Sequence, residues 1–444
     1  MVKMIDLSGF IATEYVALII IGLTLVAFVL DRIPLAITAL CSSLLLALFG
    51  TMEFKKVYSG FATPVTLLVF GMLIVGYALF ETGVVKVLGS WILRSRFARN
   101  EKSLLAVMML VAGVASAFLS NTALVATFIP LIGGMVAAAP GRLSNKNLLM
   151  PLGMAASVGG TISLVGSTSQ PVASSILEES GYGGLGMFSF AYVAIPALIV
   201  LILYCVTIGY KVMEKSFTFA DVNVVGGGTF EGSDAPGAEE FENFKPTVHT
   251  WIATATLLFC VVSFVTGLLP IEITALIGAA VVLITGCVDF KKTMAQLDWN
   301  TVLLIAFAQG IAAGMNDSGA GQKISELSVQ IVGDNLWMLL AIAVIVTVVL
   351  TNIMSNTAVA AMMTPIFIGI AVGVGANPYT FVLAIALASN MSIATPIGGT
   401  AMSQTLVAGY SFRDYLRLGV PITALLTILV IILTPMFFPF EMLP

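Results

Sequence analysis

Apolar runs follow one another along almost the whole chain, and charged residues fall in short intervals between them. Uncharged stretches such as Ile33 to Met52 and Val57 to Phe80 match the roughly 20 residues that an α-helix needs to cross about 30 Å of hydrocarbon. The short alternating segments of a membrane β-barrel are absent from the sequence. The first half therefore predicts simple spans near 12–30 and 33–51, a third near 61–82, and an amphipathic piece ending in Arg94, Arg96 and Arg99. Ser103 to Gly141 then runs 39 residues without a charge. As one helix this stretch would extend about 58 Å at 1.5 Å per residue, nearly twice the hydrocarbon thickness. A hairpin that enters and leaves by the same face fits better, with its turn near Ser120-Asn121-Thr122, where polar side chains can satisfy the backbone groups that the break frees. Asn335 to Phe412 spans 78 residues without Asp, Glu, Lys or Arg. That is enough for a second hairpin around Ser355-Asn356-Thr357 and a further crossing near 378–409. The further crossing is interrupted in both halves, by "VGSTSQP" at 165–171 and by "ATPIGGTAMS" at 394–403. Glycine, proline and small hydroxyl residues at that depth predict an unwound helix, tolerable only where backbone lines a protein cavity. One more span closes each half, near 187–212 and 414–438.

The two halves repeat one plan. A shift of 236 pairs Ile37-Thr38-Ala39-Leu40 with Ile273-Thr274-Ala275-Leu276, Phe54-Lys55-Lys56 with Phe290-Lys291-Lys292, Glu81 with Asp317 and Gly83 with Gly319. A shift of 235 pairs the two Ser-Asn-Thr triplets and Pro130 with Pro365. Residues 1–212 and 247–444 thus form two repeats joined by a polar, Gly-rich and acidic linker, 213–246, expected to be flexible and solvated. The predicted fold is an all-α integral membrane protein with five crossings and one re-entrant hairpin per repeat. An odd number of crossings inverts the second copy. With both termini outside, fifteen of the nineteen Lys and Arg face the cytoplasm and only Lys3, Lys55, Lys56 and Lys323 lie outside, which satisfies the positive-inside rule. The expected location is the cell (inner or plasma) membrane.

Composition agrees: of 444 residues, 59% are hydrophobic and 9% charged, far from the roughly 25% charged of soluble domains. The first apolar run lacks a basic start and a small-residue cleavage site, so the first helix is expected to remain in the mature protein. Cys41, Cys205, Cys260 and Cys287 lie in apolar segments without CxxC spacing, which predicts buried, inert thiols. A net charge of −4 with no basic block gives no sign of a nucleic-acid partner. "VVGGGTFEG" at 224–232 lacks the spacing and lysine of a phosphate-binding loop. Glu81, Asp317 and His249 fall at span ends, where interfacial or capping roles are expected. No cluster of catalytic spacing is visible within the spans, so an enzyme is not expected.

Inverted repeats with paired broken helices are the mark of secondary transporters, which bind substrate and coupling ions near the midplane. Backbone N–H groups at half-helix starts suit an anion, and free carbonyls with Ser, Thr and Asn oxygens suit Na⁺. No Lys or Arg lies deep inside a span, so bound Na⁺ would have to neutralise a dianion. A single Ser-Asn-Thr in a membrane helix is more often a cap or an interhelical hydrogen bond; two copies in matching halves favour function. A cation/proton antiporter of the same architecture, working through Glu81 or Asp317, and an anion exchanger or channel are the competing readings.

The duplicated triplets, each followed by a proline eight residues after its threonine, resemble those of the divalent anion/sodium symporter family. The resemblance covers both repeats. It implies uptake of a dicarboxylate such as succinate, or of citrate or sulfate, coupled to Na⁺ by an elevator motion of a homodimer. It also implies that Ser120, Asn121, Thr122, Ser355, Asn356 and Thr357, with Thr168 and Thr400, bind substrate. Na⁺ would be held by Ser116, Asn121 and Gly166 in one site, and by Thr351, Asn356, Ala394 and Gly399 in the other. Where the family carries Thr-Pro-Pro-Asn-like turns, this chain has Ser167-Thr168-Ser169-Gln170 and Thr400-Ala401-Met402-Ser403, and the adjacent Thr395-Pro396 offers a second register.

Overall fold

The computed structural model describes residues 12–30, 32–94, 100–139, 141–221, 244–323 and 335–441. Lys3, Arg96, Arg99 and the central part of the linker, 222–243, lie outside the described residues. Among those described the chain is helical throughout, with no strand. In the first half the helices are α1 (Thr13–Leu30), α2 (Leu35–Leu48), α3 (Pro64–Glu81), α4 (Val84–Arg94), α5 (Glu101–Ser116), α6 (Asn121–Ala138), α7 (Asn145–Gly159), α8 (Ser169–Leu177), α9 (Ala191–Val206) and α10 (Ile208–Ser216). In the second they are α11 (Val248–Thr266), α12 (Ile271–Ile284), α13 (Phe290–Gln296), α14 (Trp299–Asp317), α15 (Leu336–Thr351), α16 (Asn356–Gly373), α17 (Pro378–Ala388), α18 (Thr400–Gln404) and α19 (Phe412–Phe437).

Lipid offers the backbone no hydrogen-bond partner, which is why uninterrupted apolar sequence becomes helix here. Proline fixes several starts: Pro34 precedes α2, Pro270 precedes α12, and Pro64 and Pro378 open α3 and α17. Glu81 and Asp317 close α3 and α14, each two residues before a glycine of positive φ, Gly83 at 79° and Gly319 at 77°. Those carboxylates therefore sit at span ends, as expected. Among the described residues, α1, α3, α11, α16 and α19 are long and apolar enough to cross a membrane, and the bent pairs α9–α10 (46°) and α13–α14 (62°) bring the number to seven. Helices α2 and α12, expected to be full spans, have 14 residues each, about 21 Å at the α-helical rise. Each of the two lies along a longer partner from the other half.

Packing is reciprocal. α2 lies along α14 while α12 lies along α3; α8 packs on α16 while α18 packs on α6. Glycine permits the closest of these contacts, since a methyl group at Gly71 would stand 2.6 Å from the backbone carbon of Ala275 in α12. Each expected hairpin is a helix–turn–helix unit whose arms touch, α5 with α6 and α15 with α16. The last spans, α9 and α19, pack against α7 and α17 respectively and against each other. Outward faces carry Ile19, Leu23, Leu203, Val265 and Ile432, and the four tryptophans, Trp91, Trp251, Trp299 and Trp337, are all exposed. Trp251, Trp299 and Trp337 stand within the first turn of their helices, the depth at which indole rings favour a membrane interface.

Two expectations require correction. Cys205, Cys260 and Cys287 are buried, but Cys41 is exposed on the outer face of α2 beside Ile37 and Leu45. The start of the linker is ordered against the protein, with Met213 and Phe217 buried and Glu214, Lys215, Thr218, Ala220 and Asp221 exposed. Residues 213–216 belong to α10, Phe217 is buried against Phe219 and Tyr410, and Asp221 accepts hydrogen bonds from the Asn145 and Lys146 amides at 3.0 and 3.1 Å. The Ser144 side chain makes no cap at that helix start, so the Asp221 carboxylate supplies one.

Gly71→Ala is expected to lower the thermal unfolding midpoint of the purified protein by several degrees, because overpacking costs about 1–3 kcal/mol. Gly22→Ala, in open space on α1, should leave it within a degree; equal midpoints would show that the α3–α12 contact is not tight.

Candidate functional site

The helix breaks bring the duplicated polar residues to one cavity of about 840 Å³. Its lining includes both triplets, Gly166 to Thr168, and Gly398 to Ala401. The triplets are helix starts: Ser120 precedes α6 as its N-cap, accepting from the Ala123 amide at 3.4 Å, and Ser355 stands in the same place before α16. Thr168 precedes α8 and Gly399 precedes α18. The first-turn amides of α6, α8 and α16 therefore converge on a single space, with the positive ends of their dipoles. The unwound segments run from Gly160 to Thr168 and from Ser389 to Gly399. Both begin about five residues before the expected interruptions, and Thr400 to Ser403 are helical.

Beside each triplet lies a cluster of oxygens. In the first half, the buried Ser116 donates from Oγ to the Ala156 carbonyl at 2.8 Å, and Asn121 Oδ1 lies against the same Oγ. A methyl group at Gly166 would meet three carbonyl oxygens, of Gly160, Ser116 and Ala117, at 2.4, 2.7 and 2.8 Å. One at Gly160 would meet Asn121 Oδ1 at 2.5 Å. The second half repeats this arrangement. Thr351 Oγ1 donates to the Ser389 carbonyl and lies 2.8 Å from the Asn356 carboxamide, and a methyl at Gly398 would stand 1.7 Å from the Thr351 carbonyl oxygen. The carboxamide end of Asn356 is surrounded by Thr351 Oγ1, Ser392 Oγ, Gly398 O and Ser389 O at 2.8 to 3.1 Å. With nitrogen turned to that side the amide donates to its neighbours; with oxygen turned there, five oxygens converge as a hard monovalent cation requires. The glycines are necessary because any side chain would fill these clusters.

The halves are joined across the cavity by hydroxyl pairs, Thr122 to Thr400 at 2.5 Å and Thr168 to Thr357. The register of the second unwound segment is thereby fixed. Thr400 reaches the cavity, whereas Thr395 Oγ1 donates to the Asn352 carbonyl at 2.6 Å and holds the turn, as Ser163 does with Ala117 in the first half. Of the residues expected to bind cations, Ser116, Asn121, Gly166, Thr351, Asn356 and Gly399 all belong to these clusters. Ala394 does not line the cavity; its amide donates to Asn352 Oδ1 at 3.1 Å and its backbone packs against Gly419. Gly398 takes the place expected of Ala394. Sequence reasoning missed Asn352, Asn390, Ser157 and Ser392, although each is polar within an apolar run. The repeats lose a constant shift there, because Ala156 matches Ser389 while Gly166 matches Gly398.

Among the described residues, no group of three His, Cys, Asp or Glu converges. Asp317 pairs with Lys56 at 2.8 Å, both about one-third exposed, and this bond raises the Lys56 pKa. Glu81 is exposed at the cavity margin, where Lys86 also contributes to the lining. His249 stands at the start of α11, its carbonyl facing Cys287 Sγ at 3.6 Å.

Comparison with known proteins gives a consistent picture. A family model for citrate transporters (CitMHS) matches residues 25–386 and 261–444. The Escherichia coli (strain K12) transporter YfbS is 22% identical over 95% of this chain and 98% of its own length. The sodium-dependent high-affinity dicarboxylate transporter 3 of Caenorhabditis elegans is 25% identical over 83% of this chain and 73% of its own. The structure of Neisseria gonorrhoeae MtrF, described as an antimetabolite efflux pump, superposes with a TM-score of 0.62 at 15% identity, covering 98% of this chain and 96% of that one; at that identity the likeness concerns the fold.

Thr351→Val keeps the volume but removes the donor to Ser389 and the polar contact with Asn356, so it should lower the thermal midpoint by several degrees, an unmet buried group costing about 1–3 kcal/mol. Thr347→Val loses only a bond to the carbonyl four residues back and is the control; equal shifts would deny Thr351 its bridging role.

Proposed function

The chain belongs to the citrate transporter family, and from that premise we propose that it carries a small di- or polyvalent anion across the membrane together with Na⁺. A dicarboxylate such as succinate is the favoured cargo, with citrate or sulfate as variants of the same chemistry. The observation that supports this reading above all is the meeting of both Ser-Asn-Thr triplets at one cavity, each beside its own cluster of neutral oxygens. The helix starts and hydroxyls supply donors to an anion, and the clusters supply acceptors to two cations.

Charge explains the coupling. Lys86 is the single base among the described residues that line the cavity, and Glu81 and Asp298 line it too. A dianion brought alone into this site would face mainly neutral dipoles, at a severe desolvation cost. Two Na⁺ beside it make a nearly neutral complex, and a third would add roughly 2.3 kcal/mol per 100 mV of membrane potential. The Na⁺ ions thus create much of the anion's affinity. An antiporter would need a titratable carboxylate among the cation ligands; Asp317 is instead held by Lys56 at a span end.

The repeats are inverted in this reading, and both termini lie outside the cytoplasm. The reciprocal contacts of α2 with α14 and α3 with α12 would form a static frame carrying the homodimer surface. The two hairpins and the broken helices would move against it as an elevator. The last spans, α9 and α19, belong with the moving unit because they pack on α7 and α17. Glu81, Lys86, Gln296 to Asp298, Asn300 and Thr301 border the cavity on the side that the positive-inside rule assigns to the cytoplasm, so this conformation faces inward.

Proteoliposomes with an imposed Na⁺ gradient should accumulate radiolabelled succinate, citrate or sulfate, and accumulation indifferent to Na⁺ would remove the coupling. Asn121→Ala and Asn356→Ala should each reduce Na⁺-driven uptake at least ten-fold, the equivalent of about 1.4 kcal/mol, while Asp317→Asn should leave the Na⁺ dependence in place. If neither asparagine variant is impaired, the site lies elsewhere.

A further inference from the structure

The pseudo-symmetry of the site fails at one place. Ser116 and Thr351 donate to the carbonyls of Ala156 and Ser389 respectively. The next residue is Ser157 in the first half and Asn390 in the second. Asn390 is fully buried and reaches across to the first half. Its Nδ2 donates to the Ala386 carbonyl at 3.1 Å and to Ser169 Oγ at 2.5 Å. Because a carbonyl can only accept, the orientation of the carboxamide is settled. Its Oδ1 then accepts from Ser167 Oγ at 2.5 Å and stands 3.5 Å from Asn356 Nδ2. No equivalent bridge exists in the opposite direction, since Gly399 and Ala401 occupy the places of Ser167 and Ser169.

The consequence falls on Ser167, which lines the cavity. A hydroxyl has one proton to give, and Asn390 holds it. Ser169 Oγ lies 3.3 Å from Ser167 Oγ and leaves a lone pair for the cavity. Around an anion site otherwise furnished with donors, Ser167 presents an acceptor. A carboxylate oxygen is repelled there, whereas a hydroxyl group on the cargo is bound. A site built to hydrogen-bond a substrate hydroxyl discriminates strongly against the analogue that lacks it. We propose that Asn390 is a positioning residue that, by fixing the Ser167 proton, makes this transporter select 2-hydroxy di- and tricarboxylates over their unsubstituted counterparts. This rests on the anion-transport reading above and narrows its substrate class, placing hydroxylated carboxylates ahead of the succinate named there.

Malate and succinate differ by that single hydroxyl and are the probes. In proteoliposomes under a Na⁺ gradient, the wild type should take up malate with a kcat/KM at least five-fold above that of succinate. Ser167→Ala should cost malate at least five-fold more than it costs succinate. Asn390→Leu frees the Ser167 proton to turn into the cavity and should move the preference toward succinate; if that variant does not fold, Ser167→Ala decides alone. If Ser167→Ala transports neither anion, relative stabilisation by malate and succinate in a thermal shift with Na⁺ replaces uptake, and equal loss overturns the proposal. It also fails if Na⁺-driven uptake by the wild type shows no preference, or if Ser167→Ala raises the Na⁺ requirement with the ratio unchanged, which would give the lone pair to a cation. Uptake of neither anion by the wild type overturns this inference, and only the failure of citrate and sulfate as well would bring down the transport reading.

Discussion

A backbone that leaves its helix inside hydrocarbon must find other hydrogen-bond partners, and nearly every feature of this site answers that need. The helices break at Ala117 to Ser120, Gly160 to Thr168, Asn352 to Ser355 and Ser389 to Gly399. At each break, freed carbonyls and amides are taken up by short polar side chains: Ser116 on Ala156, Ser163 on Ala117, Thr351 on Ser389 and Thr395 on Asn352. Serine and threonine serve because their hydroxyls lie close to the backbone and carry no charge to desolvate. The groups left over, helix-start amides on one side and carbonyl oxygens on the other, are the ones available to ligands.

Neutrality then governs behaviour. The two clusters beside Asn121 and Asn356 are built from hydroxyl, amide and carbonyl oxygens, so neither brings a fixed negative charge that would hold a cation permanently. The convergent starts of α6, α8 and α16 likewise offer partial rather than whole positive charges. In the proposed mechanism each kind of ligand is weak alone and strong beside the other, which is the condition for tight coupling.

Mechanical division follows from packing. The α3–α12 and α2–α14 contacts are close enough to need glycine at Gly71, and at Gly310 and Gly314, where a methyl group would stand 2.6 and 2.7 Å from Ser43 and Leu46 of α2. Side chains of that fit slide poorly. The ligand-bearing helices touch one another through Thr122–Thr400 and Thr168–Thr357, so any movement would carry both hydroxyl pairs together.

The sequence by itself determined the membrane class, the duplication and the triplets, because hydropathy and repeated polar residues in apolar runs are one-dimensional signals. It also placed both breaks to within about five residues, since glycine and proline act locally. The tertiary structure alone decided which oxygens meet. Nothing linear says that Thr122 faces Thr400 rather than Thr395, that Gly398 supplies the place expected of Ala394, or that Asn390 reaches Ser167 across the repeats. The first and last of these join residues more than 200 positions apart and follow from how two folded halves dock. The short α2 and α12 belong to the same class, because their pairing with α14 and α3 is a contact between the halves that no local signal specifies.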